Sequence, residues 1–180
     1  RSIKGSDDIE YHLDKLLAPN LLKSNMDVGK FLMQAIIDKQ KIIVIGDYDA
    51  DGATATACCV LGLRKFGADI DFIVPNRFEF GYGLTPKIVK LAAKKLPNII
   101  ITVDNGIASI DGVEEANKLG ISVVITDHHL PSKKLPNALY IVNPNQKTCT
   151  FPSKSLCGVG VIFYVLLSTR ISFRDSNLFI

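Results

Sequence analysis

The chain is poor in the residues that mark several common protein classes. Its 180 residues include no tryptophan, two methionines, three histidines and four cysteines. The cysteines, Cys58, Cys59, Cys149 and Cys157, have no Cys-x-x-Cys spacing, so neither a zinc ribbon nor a dithiol redox motif is encoded. Cys58 and Cys59 are adjacent on an expected helix and do not pair there; reduced thiols are the expectation, as in a cytoplasmic protein. The longest apolar run, residues 159–167, falls well short of the ~20 residues a bilayer span needs, so no membrane segment is expected. No Gly-x-Gly-x-x-Gly string and no P-loop occurs, which disfavours a nucleotide cradle. Charge is nearly balanced at +3, compatible with nucleic acid but no argument for it. With 47% hydrophobic and 22% charged residues, the chain reads as globular and long enough for one sizeable core. The first residue is Arg1, and the last four are Asn-Leu-Phe-Ile without a cap or polar tail. A fragment or truncated gene product is therefore expected.

The chain is richest in unbroken β-branched runs followed by acidic or histidine-bearing strings. Residues 42–45, 99–102 and 122–125 are such runs, and they read as strands buried on both faces of a parallel sheet. Strands are expected at 41–46, 70–74, 98–103, 121–126 and 139–142. Helices are expected at 6–18 (capped by Ser6, with Ile9, Leu13, Leu16 and Leu17 inward), from Asn25 or Asp27 through Ile36, at 53–66, from Pro86 to about Lys95, at 111–119 and at 159–168. Residues 75–83 read as an irregular loop. Alternation of this kind predicts an α/β fold: a doubly wound, mainly parallel five-stranded sheet with helices on both faces, preceded by two N-terminal helices. The divisions expected are an N-terminal helical segment over 1–40, a catalytic domain over 41–170, incomplete, and a truncated tail over 171–180.

In open α/β sheets the ligand site lies outside the carboxyl ends of the strands. That rule gathers Asp47, Asp49 and Asp51, Asp104 with Asn105, and Asp127 with His128 and His129 into one place. Two carboxylates about 4–5 Å apart repel by roughly 3–4 kcal/mol at an effective dielectric near 20, and a divalent cation turns that cost into ligation. Asp47, Asp49 and Asp51 alternate, so an extended backbone puts their carboxylates on one side; an acidic, helix-capping turn is the plainer reading. Asp104 ends the middle strand, placed to bridge two ions, or serves as a turn aspartate. His128 and His129, if extended, face opposite ways, one towards metal and one towards a phosphate, with Asp127 orienting an imidazole. Arg77 sits in an aromatic, glycine-rich loop, where it can meet phosphate while Phe78, Phe80 or Tyr82 stacks a base. Gly158 and Gly160 either let backbone approach a substrate or loosen a helix start.

The strings GDYDADGAT (46–54), PNRFEFGYGL (75–84), TVDNGI (102–107), TDHHLP (126–131), VNPNQ (142–146) and FPSKSLCGVGVIFYVLL (151–167) resemble the DHH phosphoesterase superfamily, and within it the RecJ-type exonucleases, from about residue 15 to 168. The resemblance implies a phosphodiesterase using two Mn²⁺ or Mg²⁺ ions, digesting single-stranded DNA from the 5′ end in repair and recombination, with a single-strand-binding protein or helicase as partner. It implies Asp49, Asp51, Asp104 and His128 as metal ligands, with Asp47 a ligand or a support for one. His129 and Asp127 become the catalytic pair, and Arg77, Asn105, Tyr82, Gly158 and Gly160 the substrate contacts. A further metal-binding aspartate of the family, in a GTVAD-like stretch, has no counterpart here; after Asp127 the only acidic residue is Asp175. The 180-residue chain is therefore expected to bind Mn²⁺ weakly and to be nearly inactive alone. Two other readings stand beside this one: a DHH enzyme of small substrates such as oligoribonucleotides or cyclic dinucleotides, and a catalytically dead binding module.

Overall fold

A computed structural model describes residue 5 and residues 12–178. Five strands, β1 (Ile42–Ile45), β2 (Ile70–Ile73), β3 (Ile99–Val103), β4 (Ser122–Thr126) and β5 (Tyr140–Val142), form one sheet in the order β2-β1-β3-β4-β5. Every pairing is parallel, so the sheet is wholly rather than mainly parallel. Every residue of β1 and β3 is buried, because helices cover both faces, and this is why their sequences run apolar without alternation. Alternate residues serve opposite layers. Ile42, Val44, Ile99, Ile101 and Val124 pack with helices α1 (Asn25–Ile37), α2 (Ala50–Lys65) and the last helix, α6 (Gly158–Asp175). Ile43, Ile45, Ile100, Val123 and Ile125 pack with α4 (Pro86–Ala93) and α5 (Ile110–Lys118). The chain leaves β1 towards β2 and returns to β3 on β1's other side. The carboxyl ends of β1 and β3 therefore meet at the point where the winding reverses, the usual place for a ligand crevice.

Several boundaries differ from expectation. Of the helix expected over 6–18, residues 6–11, including Ser6 and Ile9, lie outside the described residues. The rest is a single 3₁₀ turn, Leu13–Lys15, followed by extended backbone at Leu16 that leads to a second turn at Pro19–Leu21. Helix α2 begins three residues early, because Asp49 caps it by accepting from the Gly52 amide at 3.0 Å. The loop at 75–83 contains a one-turn helix, α3 (Arg77–Phe80), capped by Asn76. Helix α6 runs on past Ser168 to Asp175. Thr169 and Ser172 are buried there, and their hydroxyls donate to the carbonyls of Val165 and Ser168, one turn back, so polar residues continue a core-facing helix. Helix α1 belongs to the same core as the sheet; buried Asn25 ties it to α6 by donating to the Tyr164 carbonyl and the Ser168 hydroxyl.

Candidate metal centre

Strand ends that line up bring their following residues together. Asp47 follows β1, Asp104 follows β3, and Asp127, His128 and His129 follow β4, while Ile45 registers with Thr102 and Thr102 with Ile125. Asp104 sits at φ 61°, a left-handed conformation that aspartate tolerates better than most residues, and its amide donates to the Thr126 carbonyl. That bend turns a carboxylate that is 2% exposed across the strand ends. Its Oδ1 lies 3.0 Å from His128 Nε2 but out of hydrogen-bond alignment, and this buried oxygen has no hydrogen-bond partner among the described residues. Gly158 closes the opposite side: a Cβ there would stand 2.6 Å from Asp104 Oδ1, so only glycine lets the start of α6 come this close.

Two groups of donors share Asp104. One atom each from Asp104, His128 and His129 lie within 4.8 Å of one another, and so do atoms from Asp47, Asp49 and Asp104. Asp51 does not lie in an extended string with Asp47 and Asp49. It is in the first turn of α2, where its carboxylate accepts from the amides of Gly158 (2.7 Å) and Val159 (2.8 Å) at the N-terminus of α6. It still reaches the site, with Oδ2 3.5 Å from His128 Nε2. The histidines do not face opposite ways either. Both their amides donate to Asp127 Oδ1, which curls the backbone into an Asx turn and leaves the rings 4.7 Å apart.

Asp127 organises the histidine side. Its Oδ1 meets His129 Nδ1 at 2.7 Å and its Oδ2 accepts from the Ile107 amide at 2.9 Å, while the side chain is 1% exposed. Asn143 and Asn145, not among the sequence candidates, hold the same loop from behind: their Nδ2 groups donate to the carbonyls of His129 and His128. The signal for them was the Asn-Pro-Asn string at the end of β5, at the sheet's carboxyl edge. Arg77 organises the other side. Its Nε and Nη2 bind Asp47 Oδ1 and Oδ2 at 2.9 and 2.6 Å, Nη2 reaches Asp49 at 3.5 Å, and the guanidinium lies 5.2 Å from the centre of the Tyr82 ring.

The electrostatics follow from this layout. Burial, then the neighbouring Asp51 and Asp49 carboxylates, push the Asp104 carboxyl up to about 7. The Gly52 amide holds the Asp49 carboxyl below its ordinary value despite partial burial, with Arg77 assisting. Burial pulls His129 down, but its bond to Asp127 and the surrounding carboxylates hold it above the ordinary imidazole value. Burial also raises Tyr82, to about 12. An acceptor-only oxygen, buried and unpartnered among carboxylates and an imidazole nitrogen, is the donor set of a hard divalent cation, and the residues fit one. Of the remaining candidates, Asn105 is buried and straps the ends of β1 and β3 by donating to the Ile45 and Val103 carbonyls. Gly160 lies against the Leu156 side chain rather than against the carboxylates. Among the described residues, no helix is long and apolar enough to cross a membrane, and all four cysteines are free.

Comparison with known proteins agrees with this geometry. The single-stranded-DNA-specific exonuclease RecJ of Haemophilus influenzae is 47% identical over 180 residues, which cover 99% of this chain and 31% of that protein. The chain thus spans about a third of the length of the curated relatives it matches at this level. A crystal structure of exonuclease RecJ bound to manganese superposes with a TM-score of 0.79 at 34% identity, over 91% of this chain and 40% of the other. RecJ from Thermus thermophilus in complex with Mn²⁺ superposes at 0.74 and 32% identity, over 92% of this chain and 23% of the other. Residues 41–178 match the DHH family, N-terminal domain, and the chain belongs to the DHH family.

Proposed function

We propose that this chain is the metal-binding part of a RecJ-type exonuclease, which hydrolyses phosphodiesters of single-stranded DNA from the 5′ end in repair and recombination. The observation that carries the reading is Asp104, whose buried Oδ1 has no hydrogen-bond partner among the described residues and whose carboxylate belongs to both donor groups at the switch point of the sheet. The 47% identity to a single-stranded-DNA-specific exonuclease across the chain supports single-stranded DNA as the substrate. Asp49, Asp51, Asp104 and His128 would hold Mn²⁺ or Mg²⁺, and Asp47 would brace the site through Arg77. The chemistry such ions supply is activation of a water and stabilisation of the leaving oxygen. Asp127 fixes the tautomer and ring plane of His129, which turns its free edge to the phosphate as a proton carrier. Arg77 presents a guanidinium already oriented by Asp47 to a phosphate, and Tyr82 offers a face to a base. Asn105, Gly158 and Gly160 shape the backbone beneath the strand. A DNA substrate supports a cytoplasmic location. The need for exposed single strands makes a helicase or a single-strand-binding protein the natural partner.

The test is an exchange. These 180 residues replace the matching segment of the H. influenzae relative, and 5′-phosphorylated single-stranded and duplex oligonucleotides are offered with Mn²⁺. The chimera is expected to degrade the single strand from its 5′ end, and Asp104→Ala to abolish this. A folded chimera that binds Mn²⁺ yet leaves single strands intact would overturn the reading.

A further inference from the structure

Beside the metal centre lies a cleft of about 490 Å³, within the range of small-ligand sites. Three walls form it: Tyr82 to Pro86 before α4, Gly106 to Gly112 at the start of α5, and Asp127 with His129 and Leu130 after β4. We propose that this cleft holds one nucleoside of the single-stranded substrate, the one adjoining the scissile phosphate. The proposal rests on the phosphodiesterase reading above and adds where the base and sugar go.

Four observations carry it. First, the cleft is built, not incidental. The Leu84 amide donates to Ser109 Oγ at 3.0 Å, joining the first two walls. Gly112 lets the Leu84 carbonyl seat against α5, since an added Cβ would stand 1.8 Å from that oxygen. The Ile107 amide donates to Asp127 Oδ2, joining the second wall to the third. Second, its chemistry suits a neutral, partly apolar group. Leu84, Pro86, Ile107 and Leu130 line it, no described lysine or arginine does, and Asp111 stands among the lining residues, so a phosphate is disfavoured inside. Third, it has the handles a nucleoside uses. Tyr82 is half exposed at its edge, and the Ser109 hydroxyl proton has no acceptor among the described residues. Fourth, His129 lines it. One carboxylate, Asp127, holds the imidazole with one oxygen and the cleft wall with the other, so a nucleoside seated here sets its own phosphate against the metal centre.

The metal-free 180-residue chain is titrated with thymidine and, separately, with inorganic phosphate, following backbone amide resonances. Thymidine is expected to shift the amides of residues 106–112 and of Leu130, and phosphate is not. Ala108 is exposed on the cleft wall. Ala108→Trp should fill the space and weaken thymidine at least tenfold while leaving Mn²⁺ affinity unchanged. Leu130→Ser, at a side chain 82% exposed and so tolerant of change, should weaken it severalfold. Shifts elsewhere, equal shifts from phosphate, or thymidine affinity untouched in both variants would overturn the proposal. A parallel Mn²⁺ titration separates the two failures. Mn²⁺ binding without thymidine in the cleft removes only this inference, whereas absent Mn²⁺ binding removes the catalytic reading.

Discussion

The two halves of the centre treat the same problem, buried or crowded carboxylates, in opposite ways. On the β1 side, Asp47 and Asp49 face a resident cation: the Arg77 guanidinium binds Asp47 through two bonds and reaches Asp49. On the β3–β4 side, Asp104 has no such partner among the described residues; a His128 nitrogen lies 3.0 Å from its Oδ1, and that oxygen is without a hydrogen bond. The first half is electrostatically settled without any ion. The second carries an uncompensated cost that a divalent cation would relieve. The cation requirement of the site therefore concentrates on Asp104, and Arg77 is the group that tunes it.

The sharpest way to break the contrast is at Asp104. Asp104→Ala should weaken Mn²⁺ binding by at least a hundredfold in calorimetry, because it removes the one carboxylate both donor groups share. Asp104→Asn should do the same and also stabilise the metal-free protein at pH 8, by about 1–2 kcal/mol or roughly 4 °C in Tm, since the amide keeps the left-handed backbone but not the charge. Unchanged Mn²⁺ affinity in Asp104→Ala would mean the carboxylate is not a ligand.

The same carboxyl sets a pH dependence. In the fold it titrates at about 7, above its ordinary value of 3.8. Its protonated form is therefore the favoured one in the metal-free fold. The stability this gives is fully present below the ordinary value and is lost as pH rises through 7. Metal binding runs the other way, because a cation must displace that proton. Apparent Mn²⁺ affinity should fall by up to about tenfold per pH unit below 7 and level off above it. A flat profile between pH 6 and 8 would show that Asp104 is already ionised.

Much of this was legible in the sequence, for a physical reason. Strands buried on both faces must be continuously apolar, so β1, β3 and β4 stood out, and the residues after them had to share the sheet's carboxyl edge. Local chemistry that competes with periodicity was not legible. Asp51 lies in a helix because Asp49 caps it one turn earlier than the apolar pattern begins. The histidine rings lie side by side because Asp127 bends the backbone with its own carboxylate. Helix α6 outlasts its apolar run because hydroxyls bonded within the helix are buried at little cost. Which distant partner a side chain takes, as Arg77 takes Asp47, is not written in either neighbourhood.

The Asn143 link yields an intermediate effect on the unsettled half alone. Asn143 is fully buried and donates to the His129 carbonyl at 2.9 Å. Asn143→Ala should cost about 1–3 kcal/mol of stability and loosen the histidine loop, weakening Mn²⁺ by about tenfold. Asn117→Ala serves as the control. It removes a 3.0 Å bond to the Asn137 carbonyl, in the loop leading to β5 and away from the histidine loop, so metal affinity should hold. Equal losses of metal affinity in both variants would make the Asn143 effect one of general stability.

The smallest expected change is at Arg77, and it has the opposite sign. Arg77→Ala removes a positive charge from beside Asp47 and Asp49, so Mn²⁺ affinity should rise by about two- to fivefold at low salt. The gain should fade at high salt, because the guanidinium is 41% exposed and its field is screened. Single-stranded DNA should bind more weakly, with the salt slope reduced by about 0.7, the share of one phosphate. Arg77→Lys should restore the salt slope but only part of the affinity, since an ammonium cannot span both Asp47 oxygens and face a phosphate in a fixed plane. If Arg77→Ala instead lowers Mn²⁺ affinity and leaves DNA binding alone, the arginine supports the ligands rather than the substrate, and the β1 half is no more settled than the other.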